Sequence, residues 1–353
     1  MGARIESVLV LGAGGALGRR VARLLAGGLP GARVVPASRR GPAALGPGAR
    51  VADVGDAASL ARALAGIDLV VNAVGPYRYD PGPLAEACVA ARAHYLDVAE
   101  DAGFIAALGG AAERAGAASA GVAFVPGCST TPGLVELLAR ACAHVDGLAA
   151  FDAWLSLGTR NPVSAGLVQG LLRPLGRPAP GGGHWFDGVV WHRADGRVLA
   201  FGRYPSGLPG ERVRVGGREL PVRFHAGFDR AAFVRALALA APRLAAVSDE
   251  RLRRLARAAL PAAQLVRLLG SPRGAFRLEA RSASGEVAAA VEVVALREGL
   301  DVPSAPPLWA ARALRAAPRG GVLCLADLVS RAEALAGLAA LGCAVREEVD
   351  SRS

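Results

Sequence analysis

Residues 8–20 read Val-Leu-Val-Leu-Gly-Ala-Gly-Gly-Ala-Leu-Gly-Arg-Arg, and this stretch decides the fold. Residues 8–11 are continuously apolar, which predicts a strand that is covered on both faces. The glycines that follow predict a tight turn, and residues 16–26 predict a helix. The spacing is G-x-x-G-x-x-G at Gly12, Gly15 and Gly18 rather than G-x-G-x-x-G. A strand, a glycine turn and a helix in this order are typical of a dinucleotide-binding site.

The start of this helix is the predicted diphosphate site. Glycine lets a pyrophosphate approach the backbone closely, and the free N–H groups and dipole of a helix N-terminus attract phosphate. The alternative is a tight strand-to-helix turn that binds no ligand. The predicted phosphate contacts are Gly12, Gly14, Gly15, Ala16 and Leu17.

Strand and helix patterns alternate over the first 130 residues, which predicts an α/β fold with a Rossmann-type parallel sheet. The second strand, 33–38, ends in Ser38-Arg39-Arg40. Domains that prefer NAD place an acidic residue near this point, whereas arginine suits the 2′-phosphate of NADP(H). We therefore predict NADP(H) as the cofactor, with solvated loop charges as the alternative reading of both arginines.

Two further strand ends supply predicted cofactor contacts. Asp53 ends the third strand, where it can bind the adenine side or cap the next turn. The fourth strand, 67–74, leads into a Gly-Pro-Tyr turn, and residues beyond the carboxyl end of a sheet strand face the ligand crevice. The predicted contacts at this end are Asn72, Ala73, Val74, Gly75 and Pro76.

Composition excludes several classes of protein. The net charge is +11, yet all basic residues are arginine, so a Schiff-base lysine and the Tyr–Lys pair of short-chain dehydrogenases are excluded. The arginines are dispersed, which argues against a nucleic-acid partner. The cysteines are scattered without a C-x-x-C pair, which predicts reduced thiols and no metal site. The sequence shows no apolar run of about 18 residues and no signal peptide, so we expect no membrane span and a cytoplasmic location.

Beyond the glycine loop, a second set of residues carries a family resemblance. Asn72-Ala73-Val74-Gly75-Pro76-Tyr77 is followed by Cys88, by His94-Tyr95-Leu96-Asp97 and by Glu100. In order and spacing, the first 135 residues or so resemble the saccharopine dehydrogenase-like NADP-binding oxidoreductase family.

The resemblance implies an architecture and an activity. Family members insert an α+β substrate and dimerisation domain into the Rossmann domain. This implies a Rossmann domain over 1–130, an inserted domain over 131–300, and C-terminal helices over 301–353 that return to the Rossmann domain. It also implies a homodimer, and hydride transfer between NADP(H) and a C=N or C=C bond.

Three residues are the predicted catalytic groups. Tyr77 follows the Gly-Pro turn and can orient substrate or relay a proton, or simply pack. Asp97 and Glu100 follow the fifth strand and can act as acid and base, or cap the next helix. His94 precedes that strand on the side away from the crevice, so we expect a structural role for it.

Substrate contacts are predicted from both parts of the chain. Cys128 and Ser129 follow a strand end, where Cys128 either lines the pocket or is incidental. Gly158-Thr159-Arg160, with Ser164 opening a helix, resembles a segment of trans-acting enoyl reductase-like members of the superfamily. The complete set of predicted substrate contacts is Cys128, Ser129, Thr159, Arg160, Arg203 and Tyr204.

The second half also yields local predictions. Asn161 is expected to cap a helix over 162–173, and residues 177–183 form a candidate lid. Helices over 228–269 are expected to break near Pro242 and near Pro261. Closing helices are expected over 308–317 and 326–341.

Three functions remain open at this point. The first is an NADP(H)-dependent oxidoreductase acting on a C=N bond of an amino-acid-derived or secondary metabolite. The second is an enoyl reductase acting on a carrier-bound or thioester substrate, since carrier proteins are commonly acidic and this chain is basic. The third is an NADP-binding sensor or scaffold without catalysis.

Overall fold

The apolar run at residues 8–11 forms part of a parallel sheet in a computed structural model of the chain, which describes residues 5–178, 184–186, 188–203 and 211–349. This strand, β1 (Ser7–Leu11), is buried along its whole length. The glycine turn leads from it into helix α1 (Ala16–Gly28). Of the candidate lid, residues 179–183 lie outside the described part of the chain.

Strands and helices alternate regularly at first and less regularly later. In chain order, the remaining strands are β2 (Arg33–Ser38), β3 (Arg50–Val51), β4 (Leu69–Asn72), β5 (His94–Asp97), β6 (Ala123–Val125), β7 (Leu148–Leu157), β8 (Val190–Ala194), β9 (Arg197–Arg203), β10 (Arg212–Val215), β11 (Arg218–Phe228), β12 (Gly274–Ser282), β13 (Val287–Ala295), β14 (Gly321–Val322) and β15 (Cys343–Val349). The remaining helices are α2 (Pro42–Leu45), α3 (Ala57–Leu64), α4 (Gly82–Ala91), α5 (Ala102–Arg114), α6 (Val135–Arg140), α7 (Ala165–Leu172), α8 (Ala231–Leu244), α9 (Asp249–Val266), α10 (Asp301–Ser304), α11 (Pro306–Ala316) and α12 (Arg331–Ala340).

The chain divides into two compact units. Unit 1 comprises Met1–Leu137 and Pro303–Gly337, and unit 2 comprises Leu138–Val302 and Leu338–Ser353. The predicted division at 130 and 300 differs from this at the C-terminus. Residues 338–353 belong with unit 2 because β15, a strand that the sequence analysis does not predict, pairs antiparallel with β13.

Unit 1 has the predicted Rossmann-type sheet. Among its described residues the strand order is β14-β6-β5-β4-β1-β2-β3, and every pair is parallel. The order reverses between β1 and β4, so a crevice opens at their carboxyl ends. The fold-class prediction, α/β with a parallel sheet and a second α+β part, is confirmed.

Unit 2 is built on a mixed sheet whose described strands follow the order β15-β13-β12-β7-β11-β9-β8, with β10 paired to β11. The central strand β7 runs parallel to β11 and antiparallel to β12. On β7, the ring of Trp154 stacks between the rings of His192 and His225, with both centroid distances at 3.8 Å. One face of this sheet is therefore aromatic and charged rather than purely aliphatic.

A buried carboxylate organises that face. Glu279, only 1% exposed, accepts hydrogen bonds from Trp154 Nε1 at 3.2 Å and His192 Nε2 at 3.0 Å. It also accepts from Arg277 at 2.7 Å and Arg281 at 2.6 Å. Burial alone would raise its pKa, but the hydrogen bonds from His192 and Arg277 lower the pKa to about 2. Glu279 is therefore ionised and fully paired at neutral pH.

The helix predicted at 162–173 starts later and has a different cap. α7 begins at Ala165, and the Ser164 side chain accepts a hydrogen bond from the Leu167 N–H at 3.3 Å. Asn161 instead donates to the carbonyl of Gly158 at 2.8 Å and accepts from the Gly299 N–H at 2.8 Å. The capping prediction for Asn161 is wrong because its amide joins two separate loops of unit 2.

Of the two predicted helix breaks, the one near Pro242 is confirmed to within a few residues, and the one near Pro261 is wrong. Pro242 lies in the last turn of α8, and Pro261 lies inside α9. The interruption falls between them, where Ser248 caps α9 and accepts from the Arg251 N–H at 3.4 Å. This start signal decides the boundary, since a serine cap followed by two acidic residues satisfies the free amides and the helix dipole.

We predict that Glu279→Gln destabilises the protein by about 3 kcal/mol, because removing one partner of a buried ion pair leaves its donors uncompensated. Glu250→Gln on the exposed face of α9 is the matched control. Its pair with Arg254 is solvent-exposed, and the change should stay within about 0.5 kcal/mol. Urea unfolding followed by circular dichroism measures both, and equal losses would contradict the assigned role of Glu279.

Candidate functional site

The glycine turn after β1 is shaped by two close contacts. Gly12 has a φ of 75°, and its N–H donates to the carbonyl of Ala37 at 3.0 Å. A Cβ atom on Gly12 would lie 2.7 Å from the carbonyl oxygen of Ala73, and one on Gly18 would collide with the carbonyl of Gly12. These two glycines therefore serve the turn and the packing of α1 on the sheet.

The start of α1 is open to solvent. Gly14 and Gly15 are exposed, and Ala16 and Leu17 are half-buried. No side chain caps this helix, and its first turn contains no acidic residue. The first amides of a helix have no intrahelical acceptor, so these groups can bind an anion. Arg19 donates to the carbonyl of Gly14 at 2.6 Å and so braces the loop.

A cavity of about 280 Å³ adjoins this turn at the carboxyl ends of the strands. It brings together the ends of β1 to β4, which the sequence analysis treats as separate cofactor contacts. The residues that line it are Gly12, Ser38, Arg39, Ala52, Asp53, Val54, Val74 and Tyr79. Its position at the switch point of a parallel sheet is where such folds bind dinucleotides.

Of the predicted phosphate-selecting residues, Ser38 and Arg39 line this cavity, and Arg40 follows them in the chain. Arg39 and Arg40 are exposed, and among the described residues neither guanidinium has a hydrogen bond or ion pair. The Ser38 hydroxyl accepts from the Gly41 N–H at 3.1 Å and fixes the turn that presents them. Two unpaired arginines beside a cavity can bind a phosphate on the ribose.

Asp53 takes the predicted turn-capping role and also lines the cavity, and its contact with the adenine side stays a prediction. Its Oδ1 accepts from the Gly55 N–H at 3.1 Å, which closes the turn after β3. Its side chain also borders the cavity. The remaining carboxylate oxygen is therefore available to a ligand while the turn stays closed.

Asn72 is the centre of a buried hydrogen-bond chain. Its side chain is fully buried at the end of β4, and Oδ1 accepts from the Val74 N–H at 3.0 Å. Nδ2 donates to the hydroxyls of Tyr79 at 2.7 Å and Tyr95 at 2.8 Å. Tyr95 in turn donates to Asp97 at 3.0 Å. Asn72 therefore fixes, from the buried side, the position of Tyr79 in the cavity wall.

Tyr77, a predicted catalytic residue, has its hydroxyl proton engaged. The hydroxyl donates to the carbonyl of Asn72 at 2.9 Å, and the ring packs on Phe104 with centroids 5.0 Å apart. Burial and the charge of Asp97 raise its pKa well above the usual value. This placement favours the packing alternative for Tyr77 over the proton relay.

Asp97 and Glu100 have different surroundings. Asp97 is fully buried and accepts from Gly127 N–H at 2.7 Å, from Ala99 N–H at 2.9 Å and from Tyr95. Burial raises its pKa to about 6, although these hydrogen bonds lower it. Part of the Glu100 residue is open to solvent, but the protein atoms packed around its carboxyl disfavour the charged form and raise its pKa to about 7. Asp97 thus anchors loops, whereas Glu100 is accessible for proton transfer.

The neighbouring residues in unit 1 are structural. His94 accepts from the Ala123 N–H at 3.0 Å through Nδ1, which is the structural role that its position predicts. Cys128 and Ser129 are buried, and the Ser129 hydroxyl donates to the carbonyl of Pro303 at 3.0 Å. Burial raises the pKa of the Cys128 thiol. With no open surface, neither residue enters the candidate site, and their assignment to substrate remains a prediction.

In unit 2, the predicted substrate residues Thr159 and Arg160 lie on a loop that hydrogen bonds hold in place, and Arg203 ends β9. The Thr159 N–H donates to Asp229 at 2.9 Å, and the carbonyl of Arg160 accepts from Arg267 at 3.0 Å. The Arg160 and Arg203 residues are exposed. Tyr204 lies outside the described residues. Substrate binding by this set remains a prediction.

The described part of the chain contains neither a metal-binding cluster nor a membrane-spanning helix. No group of three or more His, Cys, Asp and Glu side chains is arranged there to hold a metal ion. None of the helices described has both the length and the apolar character that crossing a bilayer requires.

Comparison with known families decides the nature of unit 1. Residues 8–125 match the family model of the saccharopine dehydrogenase NADP binding domain. The first part of unit 1 is therefore similar to the NADP-binding domain of saccharopine dehydrogenases. The cofactor prediction, NADP(H), is therefore confirmed at the level of this domain, and the chain has the fold of an NAD(P)-dependent oxidoreductase. The match covers about a third of the chain, so it does not extend to unit 2.

Whole-chain comparisons are more distant. An engineered D-amino acid dehydrogenase bound to NADP⁺ shares 15% identity at a TM-score of 0.47, covering 93% of this chain and 95% of its own. A probable dehydrogenase from Thermotoga maritima shares 9% identity at a TM-score of 0.45, covering 95% and 94%. These scores lie below 0.5, so no function is transferred from either protein. No curated protein matches the sequence.

Sequence reasoning missed three of the residues that line the cavity at the strand ends, which are Ala52, Val54 and Tyr79. Tyr79 lies two residues beyond Tyr77 and lines the cavity, and its hydroxyl accepts a hydrogen bond from Asn72. The available signal was its place on the loop after β4, since such loops face the crevice. The sequence alone does not tell which of the two tyrosines turns inward.

We predict that Arg39→Ala and Arg40→Ala each weaken NADPH binding, together by about tenfold or more, because each removes a charge-assisted contact to the 2′-phosphate. Affinity for NADH should change less than about twofold. Fluorescence titration of both cofactors gives the ratio, with the exposed Arg62→Ala on α3 as control. An equal loss for NADPH and NADH would contradict selection by these arginines.

Proposed function

We propose that the protein is an NADPH-dependent reductase that acts on the C=N bond of an amino-acid-derived or secondary metabolite. The observation that carries the proposal is the cavity at the strand ends, bordered by the open start of α1 and by Arg39. When bound, NADPH supplies the hydride that reduces the carbon of the C=N bond.

The residues of unit 1 fit this cofactor. The amides at the start of α1 would bind the diphosphate, and Arg39 with Arg40 would bind the 2′-phosphate. Asp53 would accept a hydrogen bond from the adenosine half. The backbone of residues 73–76 would lie along the cofactor toward the reacting end, since this segment follows β4 at the crevice.

Proton transfer is assigned to Glu100. Reduction of C=N leaves an electron pair on nitrogen, which takes a proton as the carbon takes the hydride. Glu100 is exposed, follows β5 at the carboxyl end of the sheet, and has its pKa raised to about 7. A group with this pKa is protonated in part at neutral pH and can return to its ionised form after each turnover. Asp97, held by three donors, positions the loop rather than transferring the proton.

NADPH consumption measured with a panel of substrates tests the reaction class. Cyclic imines and mixtures of oxo acids with amines supply the C=N bond, and enoyl thioesters supply the C=C bond. Turnover with imines supports the proposal. Turnover with enoyl thioesters alone would replace it with the enoyl reductase reading, and tight NADPH binding without any turnover would replace it with the scaffold reading.

We predict that kcat/KM for reduction falls as the pH rises through about 7, because Glu100 must be protonated to donate. Glu100→Gln should lower kcat/KM by about 100-fold at a pH of about 6 and remove this limb of the profile. Glu86→Gln on the exposed face of α4 is the matched control and should keep the wild-type profile. If the Glu100→Gln variant retains the same limb, the proton comes from another group.

A further inference from the structure

The direction of each hydrogen bond around Asn72 follows from a single backbone amide. The Val74 N–H is 3.0 Å from Oδ1 of Asn72, and an N–H can only donate. Oδ1 must therefore be the acceptor, which places both amide hydrogens on the opposite atom. Nδ2 then donates to Tyr79 at 2.7 Å and to Tyr95 at 2.8 Å. Both hydroxyl oxygens act as acceptors toward Asn72.

The two hydroxyl protons have different destinations. The Tyr95 proton goes to the buried carboxylate of Asp97, 3.0 Å away. For the Tyr79 proton, the described residues offer no acceptor within hydrogen-bond distance. Burial raises the pKa of Tyr79, so the hydroxyl remains a donor at neutral pH. Its proton is therefore available on the side of the cavity that Tyr79 lines.

The position of the cavity identifies the part of the cofactor that this hydroxyl faces. The other lining residues include Ser38 and Arg39 at the end of β2 and Asp53 after β3. In this type of sheet, the end of β2 contacts the adenosine ribose. Tyr79 shares the cavity with these residues, so it faces the adenosine half rather than the reacting ring.

We propose that the Tyr79 hydroxyl donates a hydrogen bond to the adenosine half of NADP(H), and that Asn72 fixes it as a donor. The inference rests on the cofactor part of the proposed function. Phe104 holds the ring edge-on with centroids 5.2 Å apart, so the hydroxyl is placed before the ligand arrives. Placement in advance lowers the entropy cost of binding.

Calorimetric titration with adenosine 2′,5′-bisphosphate tests this contact, because that probe contains only the adenosine half. Tyr79→Phe keeps the ring and its contact with Phe104 but removes the donor. We expect its dissociation constant to rise about five- to tenfold for this probe and for NADPH alike. The midpoint of thermal unfolding without ligand should stay near that of the wild type.

Tyr77→Phe is the matched control, since its hydroxyl also bonds Asn72 but through the backbone carbonyl. It should bind the probe within about twofold of the wild type. Equal affinities of the Tyr79→Phe variant and the wild type would overturn the inference and leave the proposed function intact. If the wild-type protein binds neither the probe nor NADPH, the inference and the cofactor part of the proposed function fail together.

Discussion

The contact between Gly12 and the backbone of Ala73 is the constraint on which the cofactor cavity depends. A Cβ atom at Gly12 would lie 2.7 Å from the Ala73 carbonyl oxygen, far inside van der Waals distance. The turn after β1 and the loop after β4 can therefore approach each other only with glycine at this position. That approach brings the open start of α1 and the Asn72 segment to one edge of the sheet. The anion site and the cavity wall both follow from it.

The loop after β4 is supported by a chain of hydrogen-bonded side chains that runs from the cavity wall into the protein interior. Asn72 bonds Tyr79 and Tyr95, Tyr95 bonds Asp97, and Asp97 bonds the Gly127 amide beyond β6. The chain therefore joins the carboxyl ends of β4, β5 and β6. A buried polar network of this kind stabilises one arrangement because leaving any member unpaired is costly. Asp97 is part of this network, which is why we propose Glu100 rather than Asp97 as the proton donor.

How much could be predicted from the sequence depends on the range of the interactions. The turn at Gly12, the strand ends and the cofactor were predictable, because apolar period, glycine spacing and the Arg39-Arg40 pair are local signals. The burial of Asp97 was not, because its partner Gly127 lies 30 residues away. The same holds for Asn161, whose partner Gly299 is 138 residues away, and for β15, which forms through pairing with β13. For Asn161 and Asp97, the local sequence predicts a helix cap and a catalytic acid. In the structure, each side chain instead makes long-range hydrogen bonds that the local sequence does not reveal.

In unit 2, several arginines make contacts to carboxylates that lysine could not make. Arg223 binds Asp152 through two nitrogens at 2.6 and 3.0 Å, and Arg277 binds Glu348 through two at 3.0 and 2.7 Å. A planar guanidinium can make such paired contacts, whereas a lysine ammonium cannot. Several arginines of unit 2 are therefore paired with acidic residues within its sheet. Arg39 and Arg40 differ from these arginines because no described residue pairs with them. An unpaired guanidinium has no ion pair with the protein to break before it binds a phosphate, so its charge is available to the ligand.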